Sequence, residues 1–139
     1  MAREIKFRGM DISGNWYEGN LAVIPKKIRN TVDAGSYISN AGGMPFAYQV
    51  RPETVGESTG LKDKHGVEVF EGDIFRAEDS DGDGQMHTYQ MVFIDAAFVG
   101  KSLDGGMDTI WAAFWHPGEQ MKVIGNIHEN PDLLEVKDA

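Results

Sequence analysis

Asp79-Ser-Asp-Gly-Asp-Gly84 is the sharpest chemical pattern in the chain. Calcium takes oxygen ligands from alternate positions of a loop and needs glycine at the sixth position for a sharp turn. Asp79, Asp81, Asp83 and Gly84 meet that demand, which makes the three aspartates the candidate metal ligands. The pattern breaks at its twelfth position, where Gln90 cannot supply a bidentate carboxylate, and the flanks read as strands where helices belong. An acidic hairpin tip accounts for the same residues, since Asp and Gly are what turns require. No metal is assigned on this pattern.

Other motifs are weaker. Gly100-Lys-Ser102 has the ending of a phosphate loop, but Asp95 stands where its first glycine would be, and an anionic side chain there opposes phosphate. The four histidines, His65, His87, His116 and His128, include no pair four residues apart that one helical face could aim at zinc. His128-Glu129 begins like a zinc-protease motif and ends at once in Asn-Pro-Asp. No serine sits in a Gly-x-Ser-x-Gly elbow. Glu71 and Asp73 could pair at a cleft, although turn chemistry explains both. Trp16, Tyr17, Phe98, Trp111, Phe114 and Trp115 could stack on bases or line a peptide groove, and core packing is the simpler use of them. No catalytic residue and no cofactor emerge.

With 139 residues the chain is large enough for one domain, or for two small lobes, with a core of its own. It has no cysteine, which removes disulfides, thiolate metal sites and cysteine nucleophiles and suits a reducing compartment. No run approaches the roughly 20 apolar residues of a membrane helix, and the first residues lack the apolar core of a signal peptide. The net charge of −9 opposes nucleic acid, whose binding draws on Lys and Arg neutralising phosphates. Pro25-Lys-Lys-Ile-Arg29 is the one basic run and reads as a solvated loop.

The elements that would position any site are strands. Apolar residues recur mostly at every second position, the period of a half-buried strand. Glu4–Arg8, with Ile5 and Phe7 inward, turns at Asp11–Asn15 into Trp16–Ile24, a hairpin whose Gly14 and Asn15 tolerate positive φ. A long polar loop follows from Pro25 to Pro45, with a short strand at Ser36–Ser39. Phe46–Val50 is the next strand, and residues 51–58 form the seam between two β lobes of a single domain spanning 1–139. Beyond it come Val67–Phe70, Ile74–Glu78, Met86–Asp95, Ala97–Gly100, Ile110–Trp115 and Met121–Ile127. Short strands separated by Gly/Asp turns predict a mainly β small barrel or roll with added N-terminal strands. Asn130-Pro-Asp-Leu-Leu134 predicts a short C-terminal helix, with Asn130 as its N-cap. No internal repeat is read.

Three strings carry a resemblance: Arg3-Glu-Ile-Lys-Phe-Arg8, Thr59-Gly-Leu-Lys-Asp-Lys-His-Gly-Val-Glu-Val-Phe-Glu-Gly-Asp-Ile74, and Val123-Ile-Gly-Asn-Ile-His-Glu-Asn-Pro-Asp-Leu-Leu134. Together they resemble the YopX family of phage and prophage proteins. His65 stands where that family often has Asn, and Val69-Phe70 where it often has Ile-Tyr. The resemblance implies SH3-like barrel character, phage or prophage origin and residence in the host bacterial cytoplasm. It brings no catalytic residues. The signature positions Thr59, Gly60, Leu61, Asp63, Gly66, Glu71, Gly72, Asp73, Gly125, Asn126, Asn130 and Pro131 are then expected to be structural, with Leu61, Val67, Val69, Phe70 and Ile74 supplying core. The expected function is a non-enzymatic binding or assembly module for a host or phage protein or for copies of itself. A nucleic-acid-binding barrel and an enzyme of unrecognised type are the alternatives.

Overall fold

The computed structural model describes residues 5–27, 32–43, 46–78, 86–103, 110–112 and 121–134. Eleven strands appear in order: β1 Phe7–Met10, β2 Trp16–Ile24, β3 Gly35–Ser39, β4 Ala47–Val50, β5 Gly56–Lys62, β6 Glu68–Phe70, β7 Asp73–Glu78, β8 Met86–Ile94, β9 Ala97–Ser102, β10 Ile110–Ala112 and β11 Met121–Asn126. The protein is mainly β, with two antiparallel sheets and only short 3-10 turns among the described residues. No closed barrel forms among them. The chain divides into two compact units between Ser58 and Thr59, inside β5.

In the first unit the strand order is β4-β3-β2-β1-β5. The sheet curls enough that the residue after β4 returns to β1: Arg51 N–H donates to the Met10 carbonyl at 2.8 Å, and Met10 N–H donates to Thr54 Oγ1 at 2.9 Å. Gly9 makes this possible, because a Cβ there would lie 2.7 Å from Val50 Cγ2. Met10, Ile38, Val50 and Thr54 are buried as a result. The expected inward strand Glu4–Arg8 is therefore displaced toward Met10, and Ile5 is 66% exposed. Alternation alone missed this, because the closure at Met10 comes from residues more than forty positions away.

In the second unit one sheet runs β10-β9-β8-β7-β11, and β6 neighbours the continuation of β5. Val69, Phe75, Ala77, Tyr89, Met91 and Met121 form its core, with Leu61, Phe98 and Val123 packed against it. Phe75 and Tyr89 face each other across the β7–β8 ladder, their rings stacked with centroids 5.4 Å apart. Burying each such side chain stabilises by about 1.5–3 kcal/mol. Phe70 and Ile74 are also fully buried. Val67 is not core: it is 48% exposed, because its N–H and C=O both close the preceding turn and β6 begins one residue later. The residues Asn130–Leu134 contain a single 3-10 turn at Pro131–Leu134 in place of an α-helix. The Asn130 oxygen does not serve the turn as a cap, since Oδ1 reaches backwards to accept Asn126 N–H at 3.1 Å.

Candidate functional site

Asp63 begins a five-residue loop and is 5% exposed. Its Oδ1 accepts the N–H groups of His65 at 2.8 Å and Val67 at 2.9 Å, and Oδ2 accepts Val123 N–H at 3.0 Å. The loop is closed by Asp63 N–H to the Val67 carbonyl and by Gly66 N–H to the Asp63 carbonyl, with Gly66 at φ +81°, where a side chain would be strained. Burial alone would raise the Asp63 carboxyl. The main-chain donors of Val123, Val67 and His65, with a contribution from the His65 charge, outweigh it and hold the group below its ordinary value.

Two hydrogen bonds from this loop reach strand β11. Besides the Asp63–Val123 bond, Lys64 N–H donates to the Met121 carbonyl at 3.0 Å. The loop thus occupies the side of β11 that faces away from β7, where a neighbouring strand would otherwise pair.

The next turn makes a second tie. Gly72, at φ +93°, donates its N–H to the Met91 carbonyl on β8, and its carbonyl accepts Ile127 N–H. Asp73 is buried and its Oδ2 accepts Phe70 N–H at 2.8 Å. Glu71 is half-buried on the same turn. Asn126, the register partner of Asp73, accepts His128 N–H and Glu129 N–H on Oδ1 and donates from Nδ2 to Glu129 Oε1. Gly125 follows a β-bulge at Ile124, and a Cβ on it would run into the Asn130 side chain. Thr59 Oγ1 donates to the Val69 carbonyl at 2.8 Å and accepts Leu61 N–H, across the positive-φ Gly60. Thr59 to Asp73 and Gly125 to Asn130 therefore meet in one hydrogen-bonded assembly, and Pro131 opens the exposed turn that follows it.

The first unit repeats the loop. Asp11 Oδ1 accepts Ser13 N–H and Asn15 N–H, both at 2.9 Å, Asp11 N–H donates to the Asn15 carbonyl, and Gly14 at φ +89° donates to the Asp11 carbonyl. Here Oδ2 accepts side-chain donors, the Tyr17 hydroxyl at 3.1 Å and the Asn15 amide Nδ2 at 3.2 Å. The Asn15 main-chain bond is the main reason the Asp11 carboxyl is lowered. Sequence reading found no repeat, although Asp11-x-x-Gly14 and Asp63-x-x-Gly66 are each followed by Glu-Gly, at Glu18-Gly19 and Glu71-Gly72.

The other candidates separate. Gly100-Lys-Ser102 lies within β9, paired to β8 as extended chain, so it is no phosphate cradle. Among the described residues no three His, Asp or Glu side chains are grouped to hold a metal. Asp79, Asp81 and Asp83 lie outside the described residues, as do His116, Phe114, Trp115 and the side chain of Trp111. Trp16 and Tyr17 point apart: the Arg8 guanidinium lies 4.9 Å over the Trp16 ring, while Tyr17 stacks on Tyr48 at 4.2 Å. A cavity of about 370 Å³ in the first unit, bordered by Lys6, Glu18, Asn20 and Asn40, holds none of the signature residues. No described helix is long and apolar enough to cross a membrane.

A β protein of two open antiparallel sheets, with its signature loops bonded into the main chain, is the class these observations define. The chain belongs to the YopX family: the model described as YopX protein matches residues 6–135. Among solved structures it is similar to the crystal structure of protein EF1440 from Enterococcus faecalis, at 25% identity and a TM-score of 0.52, covering 96% of this chain and 100% of that one. No curated protein matches.

Proposed function

We propose that this protein is a phage- or prophage-encoded binding or assembly module, without catalytic chemistry, acting in the host bacterial cytoplasm on a host or phage protein or on copies of itself. The observation that carries the reading is the use of the signature carboxylates. Asp63 and Asp73 are buried and bonded to main-chain N–H groups, so these two carboxylates serve to hold loops and strands in place. A carboxylate so engaged is a poor general base, because protonating it sacrifices those bonds.

Among the described residues strands β4 and β10 end their sheet orders, and a terminal strand offers main-chain groups for a partner strand to pair with. The SH3-like character is part of the same reading. Its support is the second sheet, in which β7 to β10 follow one another and β11 returns to pair with β7.

Light scattering on the purified protein, combined with affinity capture from infected host lysate, tests the proposal. A defined oligomer, or one protein recovered in stoichiometric amount, is the expected result. A monodisperse monomer that recovers nothing would overturn it.

A further inference from the structure

Strands β8 and β9 are joined by the two residues Asp95 and Ala96, both in the left-handed region at φ 51° and 65°. Tight hairpins of this kind normally place Asn-Gly or Asp-Gly there, since a Cβ is crowded by the backbone in that region. Ala96 has that Cβ. Strain retained at an exposed tip is a pointer to function.

The tip is also apolar, and its exposed aromatic ring is packed. From Met91 to Gly100 the only ionisable side chain is Asp95. Phe93 is 54% exposed and Ile94 39%, large side chains that a solvated turn does not need. Phe93 packs edge-on against its register partner Phe98, centroids 5.0 Å apart, and Phe98 in turn packs on the second unit's core. An aromatic side chain held in place before binding loses little freedom on docking, which is what an interface anchor requires.

We propose that this hairpin tip is the docking element of the module, and that it inserts into an apolar groove of a partner protein rimmed by Lys or Arg. The inference rests on the binding-module reading and names the surface and the partner chemistry. The charge selects the occupant of this tip: the chain carries −9 and the tip itself an aspartate, so nucleic acid, anionic lipid and the tip of a second, equally acidic copy are disfavoured there, whatever self-association other surfaces support. A cationic rim meets Asp95 while the groove takes Phe93 and Ile94.

Selection from a random peptide library on the immobilised whole protein tests this, with phosphatidylglycerol/phosphatidylcholine vesicles assayed in parallel. Peptides that combine apolar residues with Lys or Arg are expected. Phe93→Ser should weaken them by about tenfold or more, the effect of removing an interface anchor. Asp95→Asn, which keeps a residue suited to the left-handed region, should weaken them about threefold without disturbing the fold. Ile12→Ser, at a site 93% exposed in the first unit, should leave binding unchanged. Selected peptides that bind Phe93→Ser and Asp95→Asn as tightly as the parent would overturn the hairpin assignment and leave the binding-module reading standing. Vesicle binding lost in Phe93→Ser would overturn the protein groove in favour of a membrane. A library that yields no binder would overturn the docking tip, and the binding-module reading would then stand or fall on the light scattering and affinity capture.

Discussion

Asp11 and Asp63 open two loops closed by the same hydrogen bonds, each carboxylate oxygen Oδ1 accepting the N–H groups two and four residues on. They differ in what Oδ2 holds. Asp11 uses it for Asn15 and Tyr17 in its own hairpin, whereas Asp63 uses it for Val123, sixty residues away. The shared part makes a turn, and the differing part decides how much of the fold depends on it.

Replacing Asp63 by Asn should destabilise the protein by about 1–3 kcal/mol, because an amide cannot accept on both sides and one main-chain N–H is left facing a donor. Urea unfolding at neutral pH checks this. Asp11→Asn should cost clearly less, since its loop is exposed and its contacts are local.

The Asp63 carboxyl also sets a pH dependence. Its folded value lies below the ordinary 3.8, so its contribution is fully present above the unfolded value and is lost as pH falls through the folded one. The stability gap between the parent and Asp63→Asn should therefore persist down to about pH 5 and shrink in stronger acid. Unfolding midpoints measured across that range would show it.

Ala96→Gly should stabilise the protein by roughly 0.5–1 kcal/mol, relief of left-handed strain exceeding the extra freedom glycine gives the unfolded chain. Thermal melting should show a rise of about 2–4 °C.

Gly125→Ala should be destabilising by about 1–3 kcal/mol, since the new methyl meets Asn130, whose oxygen holds Asn126 N–H. Measured in an Asn130→Ala background, where the obstructing amide is gone, the same change should cost much less. A double-mutant cycle reads the difference directly.

Much of the fold was legible where side chains alternate. β2, β3, β7 and β11 fall within a residue of their expected bounds because each has an apolar face and a polar one, or turn residues at both ends. β5 escaped notice: Gly56-Glu-Ser-Thr-Gly-Leu-Lys62 has almost no apolar residues, and it buries Ser58 and Thr59 instead, Thr59 by bonding its hydroxyl to Val69. β8 lies in the middle of its sheet, but its far end carries Phe93 into solvent.

The signature block was recognisable as turns and core types, whereas its partners were not. Nothing local in Asp63 points to Val123, or in Gly72 to Ile127, because long-range main-chain bonds leave no periodic trace. The loop repeat was hidden for a simpler reason. Three residues separate Gly14 from Glu18-Gly19 and four separate Gly66 from Glu71-Gly72, so a fixed-period comparison slips out of register.

Amide hydrogen exchange, followed by NMR in the parent and in Asp63→Asn, tests most directly whether the signature is a scaffold. Faster exchange is expected at His65, Val67 and Val123 together, because one carboxylate holds all three. Unchanged protection at Val123, with only His65 and Val67 affected, would contradict it.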